Sequence, residues 1–207
     1  MRRQLAPALR LLVVFTVVLG LLYPLAMTGV AQALFHDKAD GSLVEVDGKV
    51  VGSRLVGQSF TQPAYFHPRP SAAGALASGS VGEDGKPVAF DDLSQAVSGA
   101  SNMGPTDKDL LAAIKERTAA YRKENGLGPD VEVPIDAVTA SASGVDPDIS
   151  LANALLQAPR VAEARRLPLS EVLALVHRHT DGRSLEFLGE EGVDVLELNL
   201  ALDEVRG

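Results

Sequence analysis

Residues 11–34 read LLVVFTVVLGLLYPLAMTGVAQAL and contain no formally charged side chain. As a helix, a stretch of this length spans about 36 Å at about 1.5 Å per residue, whereas the apolar core of a bilayer is about 30 Å thick. Because a helix satisfies its own backbone hydrogen bonds, which lipid cannot do, the stretch predicts a transmembrane helix. Pro24 removes one backbone donor and is expected to kink this helix.

The charges on either side of this stretch orient it. Arg2, Arg3 and Arg10 are the only formally charged residues before Asp37. The chain of 207 residues has 19 basic and 27 acidic side chains, a formal net charge of −8, so the residues after the stretch are acidic. The positive-inside rule then predicts a cytoplasmic N-terminus and an extracytoplasmic body. The predicted organisation is a cytoplasmic N-terminus at 1–10, a transmembrane helix at 11–34 and an extracytoplasmic domain at 35–207.

A cleaved signal peptide is the alternative interpretation of the same stretch. The arginines would form its basic region, residues 11–22 its apolar region, and Ala31-Gln32-Ala33 an A-x-A cleavage site. Cleavage at Ala33 would give a mature chain beginning at Leu34, as expected of a secreted or anchored periplasmic solute-binding module. The length of the apolar stretch favours the uncleaved anchor.

Composition excludes several classes of function. The chain has no cysteine, which rules out disulfides, thiolate metal sites and cysteine nucleophiles. An acidic chain with six Phe, three Tyr and no Trp is also unsuited to binding nucleic acid, which requires basic side chains and stacking platforms. We therefore expect no nucleic-acid partner.

Periodicity and turn signals predict a mixed α/β (α+β) fold for the body. Strands are expected within 43–56, 131–138 and 193–205. The first range contains turns at Asp47-Gly48 and Gly52-Ser53, and in the last range leucines alternate with polar residues. Helices are expected after an N-cap at Thr106, after Asp146-Pro147 with a kink or restart at Pro159, and at 171–180 after an N-cap at Ser170. Residues 71–86, rich in Gly, Ala and Ser, are expected to form a flexible loop.

The motifs of common enzyme classes are missing from the sequence. Gly85-Lys86 is followed by Pro87 and is no phosphate-binding loop, and no G-x-S-x-G, S-x-x-K or D-K-T-G motif occurs. His177 and His179 lie two residues apart on a predicted helix and point to different faces, so they do not form a metal pair. The sequence predicts no catalytic residue and no metal site. An extracytoplasmic hydrolase with a scattered site is a third hypothesis.

The first of two unusual stretches in the body is GQSFTQPAYFHPRPSAAG, residues 57–74. It contains Phe60, Tyr65 and Phe66, half of the aromatic residues that follow Phe35. Together with Arg69 and rigid prolines, these aromatics would make a protein-docking surface. The aromatics could equally fill the core of the domain, and the sequence supports both interpretations.

The second unusual stretch is SGASNMGPTDKDL, residues 98–110. Its small polar residues run directly into a predicted helix N-terminus, which could bind an anion or a carboxylate. A tight turn followed by a helix cap is the simpler interpretation, and turn chemistry favours it.

With these stretches the chain resembles, over nearly its whole length, the C subunit of the Kdp-type potassium-transporting ATPase (the KdpC family), a bacterial high-affinity K⁺ pump. The motifs that carry the resemblance are GSRLVGQSF (52–60), YFHPRPSAAG (65–74), SGASNMGPTDKDL (98–110), VPIDAVTASASGVDPDIS (133–150), QAPRVAEAR (157–165) and VLELNLALD (195–203). The chain departs from the family's usual pattern at Ala142 (often Gly), Val145 (Leu), Asp148 (His) and Asp194 (Asn).

The resemblance implies a non-catalytic, single-pass accessory subunit in the bacterial inner membrane. Its expected partners are a channel-like potassium-translocating subunit, a P-type ATPase subunit, a small single-span subunit and the lipid bilayer. The family is described as a catalytic chaperone that raises the ATP affinity of the ATPase subunit, with ATP held in a ternary complex rather than bound tightly as a cofactor. The predicted orientation conflicts with that description, because it keeps the body away from cytoplasmic ATP. The residues themselves favour a structural role, in which the body braces the outer face of the channel-like subunit.

The family motifs supply the candidate residues for partner binding. These residues are Gln58, Phe60, Tyr65, Phe66, Arg69, Pro70, Ser71, Ser101, Asn102, Gly104, Pro105, Ser143, Gly144, Asp146, Pro147, Gln157, Arg160 and Asn199.

Overall fold

The apolar N-terminal stretch is helical in the computed structural model, which describes residues 2–72 and 98–205. Helix α1 (Arg2–Val17), a π-helical turn (Val18–Leu22) and helix α2 (Tyr23–Leu34) follow one another without a break, and the short helix α3 (His36–Ala39) comes next. The most apolar 18 residues within Arg3–Leu34 have a mean hydropathy of 2.4, and the helix is long and apolar enough to cross a membrane. The single N-terminal helix predicted from the sequence is thus confirmed.

The π-helical turn explains how this helix accommodates Pro24. Within the turn the N–H of Tyr23 donates to the carbonyl oxygen of Val18, five residues back. Proline cannot donate a backbone hydrogen bond, and its ring crowds the carbonyl four residues earlier, here that of Gly20. A wider turn just before the proline relieves that crowding, so the disturbance expected at Pro24 takes the form of a π-helical turn.

Contacts divide the chain into two compact units, Met1–Leu43 and Val44–Gly207. The body is mixed helix and sheet, as predicted. Its strands and helices are β1 (Leu43–Val46), β2 (Lys49–Ser53), α4 (Lys108–Glu124), α5 (Ile135–Val138), β3 (Asp148–Ile149), α6 (Leu151–Arg165), α7 (Leu169–Arg178), β4 (Thr180–Asp181), β5 (Gly192–Asp194) and α8 (Val195–Glu204).

The strands of the body in the described residues form two small antiparallel sheets. Strands β1 and β2 pair with each other, joined by a turn at Asp47 and Gly48 with φ angles of 52° and 73°. These left-handed angles are typical of a two-residue hairpin turn, so the predicted turn is confirmed. In the second sheet β5 lies between β3 and β4, with Ile149 and Thr180 both opposite Val193.

Gly52-Ser53 lies inside β2 and is not the predicted turn. A side chain at Gly52 would overlap the amide of Gln58 and the side chain of Leu196. Glycine therefore lets neighbouring side chains approach the strand at this position, and no local sequence pattern signals that approach.

Helices α6, α7 and α8 enclose the main core. It contains Phe66, Val161, Val172, Leu198 and Leu202, all of them fully buried. A second, smaller cluster forms around Tyr121, Ala137 and Val138. The core thus depends on α8, the last element of the chain.

The prediction of a strand over 193–205 is wrong beyond Asp194, where α8 begins. Alternating leucines suggested a strand, but the buried side chains of α8 are Val195, Leu196, Leu198, Asn199 and Leu202, which follow a helical spacing. Asn199 belongs to the buried face because its amide is hydrogen-bonded inside the protein. When Asn199 is counted as a surface residue, the leucines alternate with polar residues at the two-residue period of a strand.

Four further predictions about elements are wrong in whole or in part. Residues 131–138 contain the short helix α5 and no strand. Asp146-Pro147 does not open α6, because residues 148–149 pair in β3 and the Ser150 hydroxyl accepts the N-cap hydrogen bond from the N–H of Asn153. Pro159 lies within α6 without ending it, and α7 begins at Leu169 after Pro168 rather than after a Ser170 cap. The expected flexible loop at 71–86 lies outside the described residues, except for Ser71 and Ala72.

Helix α4 begins one residue later than predicted. The Asp107 carboxylate, and not Thr106, accepts hydrogen bonds from the N–H groups of Asp109 and Leu110, at 2.8 and 3.3 Å. We therefore expect Asp107→Ala to lower the free energy of unfolding by about 1 kcal/mol. Thr106→Ala is the matched control and should change it by less than about 0.5 kcal/mol. Urea unfolding of the full chain in detergent, followed by circular dichroism, measures both. Equal losses in the two variants would contradict the assignment of the cap.

Candidate functional site

Side-chain amides hold the backbone of the YFHPRP motif at two consecutive residues. The N–H of Phe66 donates to Oδ1 of Asn199 at 2.8 Å, and Nδ2 of Asn199 donates to the carbonyl oxygen of Phe66 at 3.0 Å. The N–H of His67 donates to Oε1 of Gln157 at 2.8 Å, and Nε2 of Gln157 donates to the carbonyl oxygen of His67 at 3.1 Å. Each amide thus pairs with the backbone as a neighbouring strand would. We call this arrangement the amide clamp, formed by Asn199 and Gln157 around Phe66 and His67.

Arg160 extends the clamp along α6. Its Nη1 donates to the carbonyl oxygens of Pro63 and Tyr65 at 2.6 and 3.0 Å. Its Nε donates to Oδ1 of Asn125 at 2.9 Å, and its Nη2 donates to Oε1 of Gln157 at 2.8 Å. Asn153, Gln157 and Arg160 lie four and three residues apart and so share one helix face. That spacing was readable in the sequence and signals a polar helix face turned inward.

A buried arginine fixes the start of the same motif to the C-terminal helix. Nη2 of Arg165 lies 2.8 Å from Oδ1 of Asp203, and the Arg165 side chain is 1% exposed. Its Nε and Nη1 donate to the carbonyl oxygens of Ala64 and Leu202, at 2.6 and 3.0 Å. The guanidinium also lies 4.6 Å from the ring centre of Tyr65, whose hydroxyl donates to Asp203. Neither Arg165 nor Asp203 was among the residues predicted to matter.

A second polar cluster joins α4, α5 and α6. The Asp136 carboxylate accepts from the N–H and hydroxyl of Ser150, both at 2.8 Å, and from Nδ2 of Asn153 at 2.9 Å. Oδ1 of Asn153 accepts from the Tyr121 hydroxyl at 2.8 Å and from Nε2 of Gln157 at 2.9 Å. The cluster is therefore continuous with the amide clamp through Gln157. Sequence reasoning missed Asp136, Asn153 and Tyr121.

His67 is built into the same structure rather than left free. Its Nδ1 lies 2.8 Å from Oε1 of Glu124, and its Nε2 is 3.0 Å from the carbonyl oxygen of Gln62. Burial lowers the pKa of His67, and the nearby charge of Arg160 lowers it further, although Glu124 and the Gln62 carbonyl oppose this.

The candidates Arg69, Ser71 and Asp146 come together beside residues 143–146. Nη1 of Arg69 lies 2.7 Å from Oδ2 of Asp146, with both side chains about a quarter exposed, at 24% and 28%. The Ser71 hydroxyl donates to the carbonyl oxygen of Gly144 at 2.7 Å. The carbonyl oxygen of Ser143 accepts from the N–H of Gly99 at 2.8 Å, so the start of the 98–110 motif lies here as well.

The aromatic candidates are core residues. Phe60 and Tyr65 are 4% and 5% exposed, and Phe66 is 0% exposed. Of the two interpretations, a docking surface or a filled core, the observed burial agrees with the filled core. Gln58 is likewise buried, and its Nε2 donates to the carbonyl oxygen of Val51 at 2.8 Å. Pro147 accepts from the N–H of Val195 and so connects the 133–150 motif to α8.

Residues 101–106 are placed apart from these clusters, and every one of them is exposed. They include the candidates Ser101, Asn102, Gly104 and Pro105. Asn102 has a left-handed φ of 54°, and the carbonyl oxygen of Gly104 accepts from the N–H of Asp107 at 3.0 Å. The turn-and-cap interpretation therefore describes the geometry of this segment.

These clusters use the polar groups of the motifs for internal contacts. Within residues 2–72 and 98–205, no three His, Cys, Asp or Glu side chains converge as a metal site would need. The amides and guanidiniums of the clamp bind the protein's own carbonyl and N–H groups. Chemically, the arrangement can rigidify the body and present its surface.

Among the described carboxyl groups, Asp194, at the end of β5, has the pKa most shifted by its surroundings. Burial raises its pKa to about 6, and the charges of Glu197 and Asp148 raise it too, against a hydrogen bond from the N–H of Glu197. The folded protein therefore retains this proton up to about pH 6, whereas the unfolded carboxyl loses it near its ordinary value of 3.8. Since the folded state then binds more protons, this group makes stability fall as pH rises from about 4 to about 6.

We expect Asp194→Asn to raise the free energy of unfolding by about 1–3 kcal/mol at pH 7.5, because asparagine caps a helix as well as aspartate does and carries no charge into the buried site. At pH 4, where the carboxyl is already protonated in the folded protein, the gain should be within about 0.5 kcal/mol of zero. Urea unfolding at both pH values measures the difference. A gain of the same size at both pH values would contradict the role of the buried charge.

Comparison with known proteins gives one consistent result. A family model described as KdpC, the c chain of the K⁺-transporting ATPase, matches residues 5–204. A potassium-transporting ATPase KdpC subunit of Mycobacterium tuberculosis H37Rv is 55% identical over 205 residues, covering 99% of this chain and 100% of the relative. The subunit of the same name from Caulobacter vibrioides NA1000 is 52% identical over 204 residues, 98% of this chain and 94% of the relative. The subunit of the same name from Gemmatimonas aurantiaca is 48% identical over 205 residues, which cover 99% of this chain and 94% of the relative.

Proposed function

The chain belongs to the KdpC family, the c chain of the K⁺-transporting ATPase, and we propose that it is a non-catalytic subunit that holds the pump together. In this proposal the N-terminal helix packs against helices of the other subunits in the membrane. The body lies outside the cytoplasm and braces the outer face of the channel-like subunit. The P-type ATPase subunit and a small single-span subunit complete the assembly.

The observation that carries this proposal is the internal use of the motif side chains. Gln157, Arg160 and Asn199 bind the backbone at residues 63–67 and leave their polar groups committed to the fold. A catalytic or solute-binding site would instead turn such groups towards an open cavity. The motifs thus build a rigid body, which is what a bracing subunit requires.

The exposed apolar helix supports the membrane part of the proposal. Among the described residues, none in the π-helical turn or in α2 is buried. Gly20, Ala26, Gly29 and Ala33 would let a neighbouring helix approach closely. A side chain at Gly29 would meet no atom of the described residues within 4 Å beyond its own helix backbone. Loss of assembly in Gly29→Leu would therefore report on a neighbouring helix, with Val30→Leu as the control.

The decisive experiment is extraction of native membranes with a mild detergent after growth under potassium limitation. We expect a tagged ATPase subunit to co-purify with this chain in equal amounts, and the N-terminus of this chain to lie before Leu11. A solitary soluble chain beginning at Leu34 would overturn the proposal. It would favour the alternative, a secreted or anchored solute-binding module.

Orientation has its own test, because the chain contains no cysteine. Lys115→Cys, on the exposed surface of α4, should react in spheroplasts with a maleimide that cannot cross the membrane. Gln4→Cys, in exposed α1, should react only after the membrane is permeabilised. The opposite pattern would put the body in the cytoplasm.

ATP enters this proposal only through the ATPase subunit. An extracytoplasmic body cannot reach cytoplasmic nucleotide, so we expect the purified ATPase subunit to show the same apparent ATP affinity with and without this chain. A marked rise in ATP affinity on adding the chain would instead favour the catalytic-chaperone role, with ATP held in a ternary complex.

A further inference from the structure

The loop between β4 and β5 exposes an unusual amount of apolar surface. Every residue from 181 to 191 is exposed. Leu185 and Phe187 are 76% and 70% exposed, and Leu188 is 49% exposed. Large apolar side chains that are clustered and exposed in this way commonly mark a binding surface. We call residues 183–190 the β4–β5 loop.

The β4–β5 loop is closed at its base by specific contacts. The N–H of Ser184 donates to the carbonyl oxygen of Leu188, and the N–H of Leu188 donates to that of Ser184, both at 2.9 Å. Nη2 of Arg183 lies 2.7 Å from Oε2 of Glu190. The apolar tip is therefore held in a defined shape, which lowers the entropy lost when it binds.

The backbone of the tip adopts an unfavourable conformation. Leu185 and Glu186 have φ angles of 54° and 70°, in the left-handed region that side chains other than glycine disfavour. Strain of this kind persists where the surroundings enforce it, and it concentrates at functional sites. Here one of the two strained residues, Leu185, itself carries an exposed apolar side chain.

We propose that the β4–β5 loop is a docking element that inserts Leu185 and Phe187 into an apolar cavity, rimmed by basic side chains, on another protein subunit of the complex. The proposal rests on the proposed function, since it needs that complex to exist. It names the class of surface that the loop fits, and it deepens the bracing role by assigning the residues that make the contact.

Charge argues for a protein partner and against lipid. Asp181, Glu186, Glu190 and Glu191 surround the tip, and the one basic residue of 181–191, Arg183, is already paired with Glu190. Segments that bind membrane surfaces combine apolar residues with Lys and Arg, which attract anionic headgroups. An acidic rim would be repelled there, whereas Lys or Arg around a protein cavity would complement it.

Site-specific cross-linking tests the proposal in the intact complex. Because the chain has no cysteine, Phe187→Cys can carry a single benzophenone-maleimide. Ile135→Cys is the matched control, since Ile135 is as exposed as Leu185, at 76%. We expect illumination to join position 187 to one peptide of another subunit that contains apolar residues and Lys or Arg, with no such product from position 135. Adducts with lipid or detergent only, adducts with a second copy of this chain, or the same products at both positions would overturn the proposal.

A second measurement asks whether the contact matters for assembly. The double variant Leu185→Ser/Phe187→Ser should reduce co-purification with the tagged ATPase subunit at least fivefold, whereas Ile135→Ser should leave it unchanged. Thermal unfolding of each variant checks that the fold is retained. If the unaltered chain fails to co-purify, the proposed function fails. If it co-purifies and the folded double variant does so equally well, only the docking proposal fails. If the double variant does not fold, the cross-linking result decides.

Discussion

Arg165→Met is expected to lower the free energy of unfolding by about 3–5 kcal/mol, because it removes the buried partner of an ion pair together with the hydrogen bonds to two carbonyl oxygens. Methionine keeps much of the side-chain volume but removes every donor of the guanidinium. The Asp203 carboxylate then loses its charged partner, and the carbonyl oxygens of Ala64 and Leu202 lose their hydrogen bonds. Urea unfolding of the full chain in detergent measures the loss.

Arg183→Met is the matched control for this experiment. Arg183 also pairs with a carboxylate, that of Glu190, but the two side chains are 45% and 85% exposed. Exposed ion pairs contribute about 0–1 kcal/mol, so we expect a loss no larger than that. The double variant Arg165→Met/Asp203→Leu should recover part of the Arg165→Met loss, because it leaves no charge without a partner. A double variant less stable than Arg165→Met would contradict this explanation.

Gln157→Ala is expected to lower the free energy of unfolding by about 2–5 kcal/mol, since each buried polar group left without a partner costs about 1–3 kcal/mol. The N–H and carbonyl oxygen of His67 both lose their partner, as does Nη2 of Arg160. Oδ1 of Asn153 loses one of its two hydrogen bonds and keeps the one from the Tyr121 hydroxyl. Gln157 is 2% exposed, which limits replacement of these hydrogen bonds by water. The same unfolding experiment gives the value.

The other half of the amide clamp provides a sharper comparison. Asn199→Ala should also destabilise the body, and the double variant with Gln157→Ala should lose less than the sum of the two, because both amides hold adjacent residues of one segment. Gln32→Ala is the control, because its side-chain amide makes an exposed hydrogen bond. Its amide binds Asp40 on the surface, so its effect should stay below about 0.5 kcal/mol. If the losses of unfolding free energy in the two single variants added fully in the double variant, the two amides would stabilise the segment independently of each other.

The elements that could be predicted from the sequence are those whose pattern is local. The N-terminal helix follows from an uncharged stretch long enough to cross a bilayer. The β1–β2 hairpin follows from Asp47-Gly48, and α4 follows from its apolar stripe with only its cap misplaced by one residue. In each case the decisive interactions lie within a few residues, so propensity and spacing were sufficient.

The errors come from residues whose role depends on distant parts of the chain. Asn199 looks like a surface residue until Phe66 is known to lie against it, and without it α8 resembles a strand. Gly52 looks like a turn until the Gln58 amide is seen beside it. Asp146-Pro147 looks like a helix start because the pairing of Asp148 with Asp194 is a long-range contact.

The candidate site divides in the same way. The motifs identified residues that matter structurally, including Gln157, Arg160 and Asn199. The sequence could not show that they bind the chain's own backbone, since a polar side chain carries no sign of its partner. Arg165 and Asp203 escaped notice for the opposite reason, because ordinary charged residues on helices are usually solvated.

The amide clamp also determines when the body can fold during translation. Phe66 is hydrogen-bonded to Asn199, 133 residues further along the chain, and His67 is hydrogen-bonded to Gln157, 90 residues further along. Contacts of such long range delay folding until both ends of the loop are present. During synthesis the segment around residue 66 therefore emerges long before anything can hold it. The body completes its core only after the last helix has been translated, so a chain cut short before α8 should be an easy substrate for proteases.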